Sequence, residues 1–267
     1  MMKERKRLRA FLSAAMYLGI YVIVQMAIEG IYLLYCQSVI GTTFADLYKE
    51  LMKSVYAINV ISSIISLWIY ALIGKLRKKP IAQAVKNSAI TPASMFMIVI
   101  SAIGARLMVS AYFFFAEEFK PLKNSIENSS LATPEFTYFY QIIIALFSIV
   151  IIAPFFEEVL FRGLVMGEFL KIMRPWAAIV LQAIIFGVAH LALFQSSFAF
   201  VVGILLGIIY YKTSSIKAVA VFHGVFNVTA PLSQIAQNTS TAIAMLIFGI
   251  VIIGISVFYI AHTSNAK

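Results

Sequence analysis

Apolar stretches of about bilayer-crossing length follow one another along almost the whole chain, and this pattern constrains the fold more than any single motif. A spanning helix needs roughly 20 mainly apolar residues. Eight segments approach that length: residues 11–35, 54–74, 89–116, 138–166, 176–194, 197–211, 215–232 and 241–262, the sixth and seventh being short. Backbone polar groups in hydrocarbon must be satisfied within the structure, which favours helices. The expectation is an all-α, polytopic transmembrane bundle of about eight helices. With 62% of residues hydrophobic and 12% charged, the chain exceeds what a soluble domain, about half apolar and a quarter charged, can keep from water. No repeat or low-complexity tract breaks the pattern. The longest polar stretch, residues 117–137, is too short for a further domain, so 1–267 reads as one membrane domain. The polar run Lys212 to Lys217, with Ser214 and Ser215, suits a tight turn.

The formal charge of +10 is arranged for lipid rather than nucleic acid. Lys3, Arg5, Lys6, Arg7 and Arg9 precede the first apolar segment, and Lys75, Arg77, Lys78 and Lys79 follow the second. No aromatic side chains alternate with them to stack on bases, so a nucleic-acid partner is not expected. Basic clusters beside apolar segments anchor a chain to the anionic cytoplasmic leaflet of a bilayer. With the N-terminus inside, fifteen basic residues face the cytoplasm, including Lys86, Lys171, Arg174, Lys212, Lys217 and Lys267. Only Lys49, Lys53, Lys120 and Lys123 fall outside, together with the acids Glu117, Glu118, Glu127 and Glu135. Both termini are therefore expected in the cytoplasm. The first apolar run is too long for a signal peptide and lacks a small-residue cleavage site, which predicts a retained helix. Cys36, the single cysteine, excludes an internal disulfide and a cysteine-based zinc site.

Ionisable residues inside apolar segments are costly and usually functional. Glu29 and Arg106 stand alone and read as packing or interface features, and His262 as interfacial. Tyr112 to Phe115 suits lipid or interface contact, and Gly203 with Gly207 suits close helix packing. The remaining ionisable residues are grouped. Glu158 and Arg162 are four apart in the favourable order for an ion pair. Glu157 is turned about 100° from Glu158, which leaves it free of the arginine. His223 and Asn227, also four apart, share one helix face. Counting about 1.5 Å per residue from the inner loops puts Glu157 about 16 Å deep, His190 about 21 Å, and His223 and Asn227 about 10 and 16 Å. Three helices thus deliver polar groups to overlapping depths. Gly163 and Gly167 are expected to loosen the glutamate helix, with substrate access nearby.

The runs Glu157-Glu158-x-x-x-Arg162, Phe186-x-x-x-His190 and His223-x-x-x-Asn227 resemble, in order, the three motifs of the CAAX protease and bacteriocin-processing family of intramembrane proteases. The resemblance covers residues 138–230, which it marks as the catalytic core. It implies an intramembrane endopeptidase acting near the cytoplasmic side on a peptide or membrane-protein substrate. Glu157 would be the general base, activating water with help from His190. His223 and Asn227 would stabilise the oxyanion, and Glu158 with Arg162 would orient Glu157. The resemblance requires no cofactor, yet Glu157, His190 and His223 also form a possible zinc set, so both routes stay open. The scale of the chain and its short termini point to a bacterial cell membrane, where bacteriocin immunity, peptide processing or membrane-protein turnover are the expected roles. A non-proteolytic immunity protein and a proton-coupled transporter are the alternative classes.

Overall fold

The computed structural model describes residues 2–40, 43–78, 80–131, 134 and 136–263. Lys79, Glu135 and Lys267, counted above among the loop and terminal charges, lie outside them. The described residues form helices joined by short turns: α1 Met2–Ile40, α2 Phe44–Leu76, α3 Ile81–Ala84, α4 Pro92–Ala116 and α5 Lys120–Leu131. There follow α6 Phe139–Phe169, α7 Pro175–Val188, α8 Leu193–Thr213, α9 Ile216–Val228 and α10 Thr239–Thr263. Six of them (α1, α2, α4, α6, α8 and α10) are long and apolar enough to cross a membrane, and α7 and α9 are shorter apolar helices. An all-α polytopic bundle is thus what forms, and the chain is an integral membrane protein. Its outer belt is apolar, with Ile23, Met26, Leu34, Trp68, Phe248 and Phe258 well exposed.

Several boundaries differ from the sequence expectation. The short helices are the fifth and seventh segments, whereas the sixth is a full 21-residue helix. The basic N-terminal residues are good helix formers and extend α1 back to Met2. The 117–137 stretch holds the polar helix α5. The fifth segment stops at Val188, so His190 lies on a turn rather than in a helix. The physical reason is local. The His190 imidazole Nδ1 lies 2.8 Å from the Phe186 carbonyl and takes one of the last acceptors of α7. Leu191 then adopts φ 61°, the left-handed region that reverses the chain.

Caps set the other ends. Thr91 Oγ1 accepts from the Ser94 amide at 3.1 Å, and Pro92 opens α4. Ser214, at φ 49°, closes α8 in the left-handed conformation and makes the expected tight turn into α9. The start of α9 is held from another part of the chain, where Asn87 Oδ1 accepts from the Ser215 hydroxyl and the Lys217 amide. Gly203 and Gly207 pack closely as expected. A Cβ at Gly203 would lie 3.2 Å from Ala183 Cα, and one at Gly207 would lie 2.9 Å from Gln182 Nε2 on α7.

The centre of the bundle is α6, and it is not a uniform α-helix. Residues Ser148–Ile152 and Glu158–Val165 run in π register, where each N–H bonds five residues back. Proline explains how the first of these helps build the site. The Ala153 amide bonds the Ser148 carbonyl, so the next bond in register would run from residue 154 to Ile149. Pro154 has no N–H to make it. Instead Asn227 Nδ2 on α9 donates to the Ile149 carbonyl at 2.9 Å. Such a short approach needs Gly224, where a Cβ would sit 2.5 Å from the Val150 carbonyl oxygen.

Candidate active site

The two glutamates of α6 lie where α7 and α9 pack against it. Glu158 and Arg162 are fully buried, and Arg162 Nη1 donates to Glu158 Oε1 at 2.9 Å, the ion pair their spacing predicts. The guanidinium carbon also stands 4.3 Å from the centre of the Phe186 ring. His223 Nδ1 lies 2.8 Å from the same Glu158 oxygen. An ionised carboxylate only accepts, so Nδ1 carries a proton and the ring orientation is fixed. The opposite nitrogen, Nε2, then stands 3.8 Å from Glu157 Oε2. Two carboxylates that diverge relative to Arg162 thus converge on one imidazole.

The structure brings five of the six motif residues into contact through shared partners. Glu157, Glu158, Arg162 and His223 form one polar cluster, and His190 joins it through Phe186. The Phe186 ring meets His190 edge-on at 4.8 Å and His223 at 6.0 Å, with Phe161 against it at 5.0 Å. Asn227, one turn beyond His223, is held by Ile149 instead. The histidine that stands 3.8 Å from Glu157 is His223, whereas His190 bonds a backbone carbonyl. Because that carbonyl can only accept, His190 Nδ1 is also the protonated nitrogen. Both histidines therefore have Nδ1 engaged with the protein and Nε2 free for other chemistry. Glu157 Oε2, Glu158 Oε2, Arg162 Nε and Arg162 Nη2 are buried without a protein partner, so the cluster has unused polar capacity.

The imidazole layer opens into a cavity of about 350 Å³. Its wall includes His190, His223, Asn227 and, unexpectedly, Arg106 of α4. The rest is mostly apolar, with Phe113, Phe194, Phe198 and Phe226 among it. These lining residues lead toward the C-terminal end of α4 and the N-terminal end of α8, away from Lys86, Lys171 and Lys212. A second cavity of about 500 Å³ lies at that basic end, lined by Gly163, Gly167, Tyr210 and the three lysines. Glu29 takes no part in either cavity and accepts from Gln25 at 2.6 Å. His262 Nδ1 bonds the Phe258 carbonyl at 2.8 Å near the end of α10.

Two glutamates, an arginine and two histidines are thus gathered inside a polytopic helix bundle. Residues 139–229 match the sequence model of the Rce1-like family, described as type II CAAX prenyl endopeptidases. The match takes in all three motifs, supports the resemblance to the CAAX proteases, and implies a protease with a peptide or protein substrate. Comparison with curated proteins and with solved structures gives no match.

Sequence reasoning passed over three contributors: the Phe186 ring as the hub between both histidines, the Ile149 carbonyl, and Arg106 as part of the cavity. Each left some trace in the sequence: Phe186 in the second motif, the missing N–H of Pro154 for the Ile149 carbonyl, and the isolated charge of Arg106. Among the described residues, no group of three or more His, Cys, Asp or Glu side chains is arranged to hold a metal ion.

Proposed function

We propose that the protein is an intramembrane endopeptidase in which Glu157 activates a water molecule for attack on a peptide carbonyl. The observation that carries this reading is the pair Glu157 Oε2 and His223 Nε2, facing each other across 3.8 Å. That separation is too long for a direct hydrogen bond and suits one bridging water. A water held there has a carboxylate to take its proton and an imidazole to fix its orientation. Glu158, neutralised by Arg162, holds His223 Nδ1–H and so keeps Nε2 directed at Glu157.

The later steps use the neighbouring donors. The Asn227 amide has a second N–H beyond the one given to Ile149, and it lines the cavity where a carbonyl oxygen would develop charge. The proton that Glu157 takes from the water passes to the leaving amine nitrogen as the C–N bond breaks. His190, with a bare Nε2, is a second proton acceptor on the opposite wall. Counted along α6 at about 1.5 Å per residue, Glu157 is about 16 Å from Glu168 and about 27 Å from Phe139. With the basic end of the bundle in the cytoplasm, cleavage falls in the cytoplasmic half of the bilayer. Peptide processing or turnover of membrane proteins is the role this reading favours.

The test is proteolysis of a membrane-peptide library by the purified, reconstituted protein, with Glu157→Gln and His190→Ala alongside, each with and without chelator. Cleavage by wild type and its loss in Glu157→Gln supports the glutamate route. Chelator-sensitive cleavage would replace the metal-free version with a zinc enzyme. Folded wild type as inert as both variants would sink the protease and leave immunity binding or proton-coupled transport.

A further inference from the structure

Arg106 is a cation buried within the helix bundle, and no acid among the described residues pairs with it. It lies on α4 and is 4% exposed. Nη1 donates to Ser233 Oγ at 2.8 Å, Nη2 donates to the Phe226 carbonyl, and the guanidinium carbon sits 3.8 Å from the Phe226 ring centre. Nε has no partner. None of the ion pairs among the described residues includes it. Arg162, the other buried arginine, by contrast forms an ion pair with Glu158 through Nη1.

Part of this arrangement is structural, because Phe226 is near the end of α9 and a cation is favoured at a helix C-terminus. The partial charge of a helix end neutralises only part of a full unit. Such a charge inside a membrane protein ordinarily has a charged partner or a functional ligand. The surroundings indicate which. Arg106 shares its cavity with His190, His223 and Asn227, and the wall contains no aspartate or glutamate. About 350 Å³ is within the range that holds a small ligand or a short peptide segment. The cavity thus offers one fixed positive charge, no negative one, and mostly apolar walls, beside the groups that would handle the scissile bond.

Building on the proteolytic reading above, we propose that Arg106 binds a carboxylate of the substrate peptide and so selects peptides with an anionic group on one side of the cleaved bond. The planar guanidinium is suited to a carboxylate. The carboxylate has two possible sources, the C-terminus of the peptide or an Asp or Glu side chain.

The experiment takes a peptide that the reconstituted wild type cleaves and prepares it in three forms: unchanged, C-terminally amidated, and with its acidic side chains replaced by Asn or Gln. Neutralising the recognised carboxylate is expected to raise KM by about tenfold to a hundredfold, and the form that responds identifies the source. Arg106→Gln should raise KM for the unchanged peptide by a similar factor and erase the difference between the forms, while Arg106→Lys retains part of it. A merely structural arginine would not discriminate peptides by charge. Equal KM for all three forms on wild type would overturn the proposal, and that arm holds even if Arg106→Gln fails to fold. If wild type cleaves nothing, the proteolytic reading fails separately. Equilibrium binding of the same fluorescently labelled peptides to the wild-type protein then decides: a charge preference supports Arg106 as an anion site, and none refutes it.

Discussion

Removing Arg162 while leaving Glu158 in place should be among the most damaging single changes in the bundle. Both side chains are fully buried, and one Glu158 oxygen accepts from Arg162 at 2.9 Å and from His223 at 2.8 Å. Arg162→Met keeps length and apolar volume but deletes one charge-assisted bond, worth about 1.5–3 kcal/mol. It also leaves the carboxylate short of compensation, and breaking one partner of a buried pair costs about 3–5 kcal/mol in all. At about 2–4 °C per kcal/mol for a chain of this size, Tm should fall by about 10 °C. Glu158→Gln with Arg162→Met removes both charges, so most of that loss should return, with a coupling of about 2–3 kcal/mol in the double-mutant cycle. Heat unfolding of the purified protein in one detergent, followed by circular dichroism, reads all four corners of the cycle. A drop of less than about 2 °C in Arg162→Met, or a double variant as unstable as the two losses added, would refute the reasoning. The double variant should regain stability without regaining cleavage, since His223 would still lack the carboxylate that fixes its tautomer.

Other perturbations test other parts of the structure. Gly224→Ala places a Cβ 2.5 Å from the Val150 carbonyl oxygen, so it should cost about 1–3 kcal/mol and weaken the Asn227 bond, seen as lowered Tm and activity together. Asn227→Ala should leave the Ile149 carbonyl unsatisfied at a cost of about 1–3 kcal/mol, and unchanged Tm would show that the amide is not needed there. Leu191, at φ 61° and 91% exposed, is strained, so Leu191→Gly should raise stability by about 0.5–1 kcal/mol; a lower Tm would argue against the left-handed turn. In a Cys36→Ser background, a cysteine at position 234 should react with an impermeant maleimide added to intact cells, and one at 212 should not; the reverse pattern would invert the topology.

The class of fold was legible because lipid imposes one simple demand, long apolar helices, and this chain meets it along its length. The motif residues were legible for the same reason, since Glu157, Arg162 and His223 are anomalies against an apolar background. Partners between helices were not. Nothing in the sequence distinguishes His190 from His223 as the neighbour of Glu157, because that choice depends on how α7 and α9 rotate against α6. The end of α7 was hidden as well. Residues 188–193 are apolar apart from His190 itself, so hydropathy runs straight through the turn that its imidazole helps to form. Arg106 was visible as an oddity, but its meaning needed the short helix Ala230–Gln234, which brings Ser233 to it.

The two short helices explain why the polar groups gather where they do. α7 has 14 residues and α9 has 13, about 21 and 20 Å of rise, against about 30 Å of hydrocarbon. Each starts near the basic end of the bundle, so each must stop inside the membrane, with terminal carbonyls that lipid cannot satisfy. Among the groups that answer those carbonyls are His190 and Arg106, at Phe186 and Phe226, and Thr229 Oγ1, which donates to Val225 and Phe226. His190 and Arg106 line the cavity that the stopped helices leave beyond them. In this bundle, residues that cap two helix ends therefore also line the cavity beside the motif residues. Extending either helix by two apolar turns would satisfy its backbone without these residues, and would fill the space that a substrate needs.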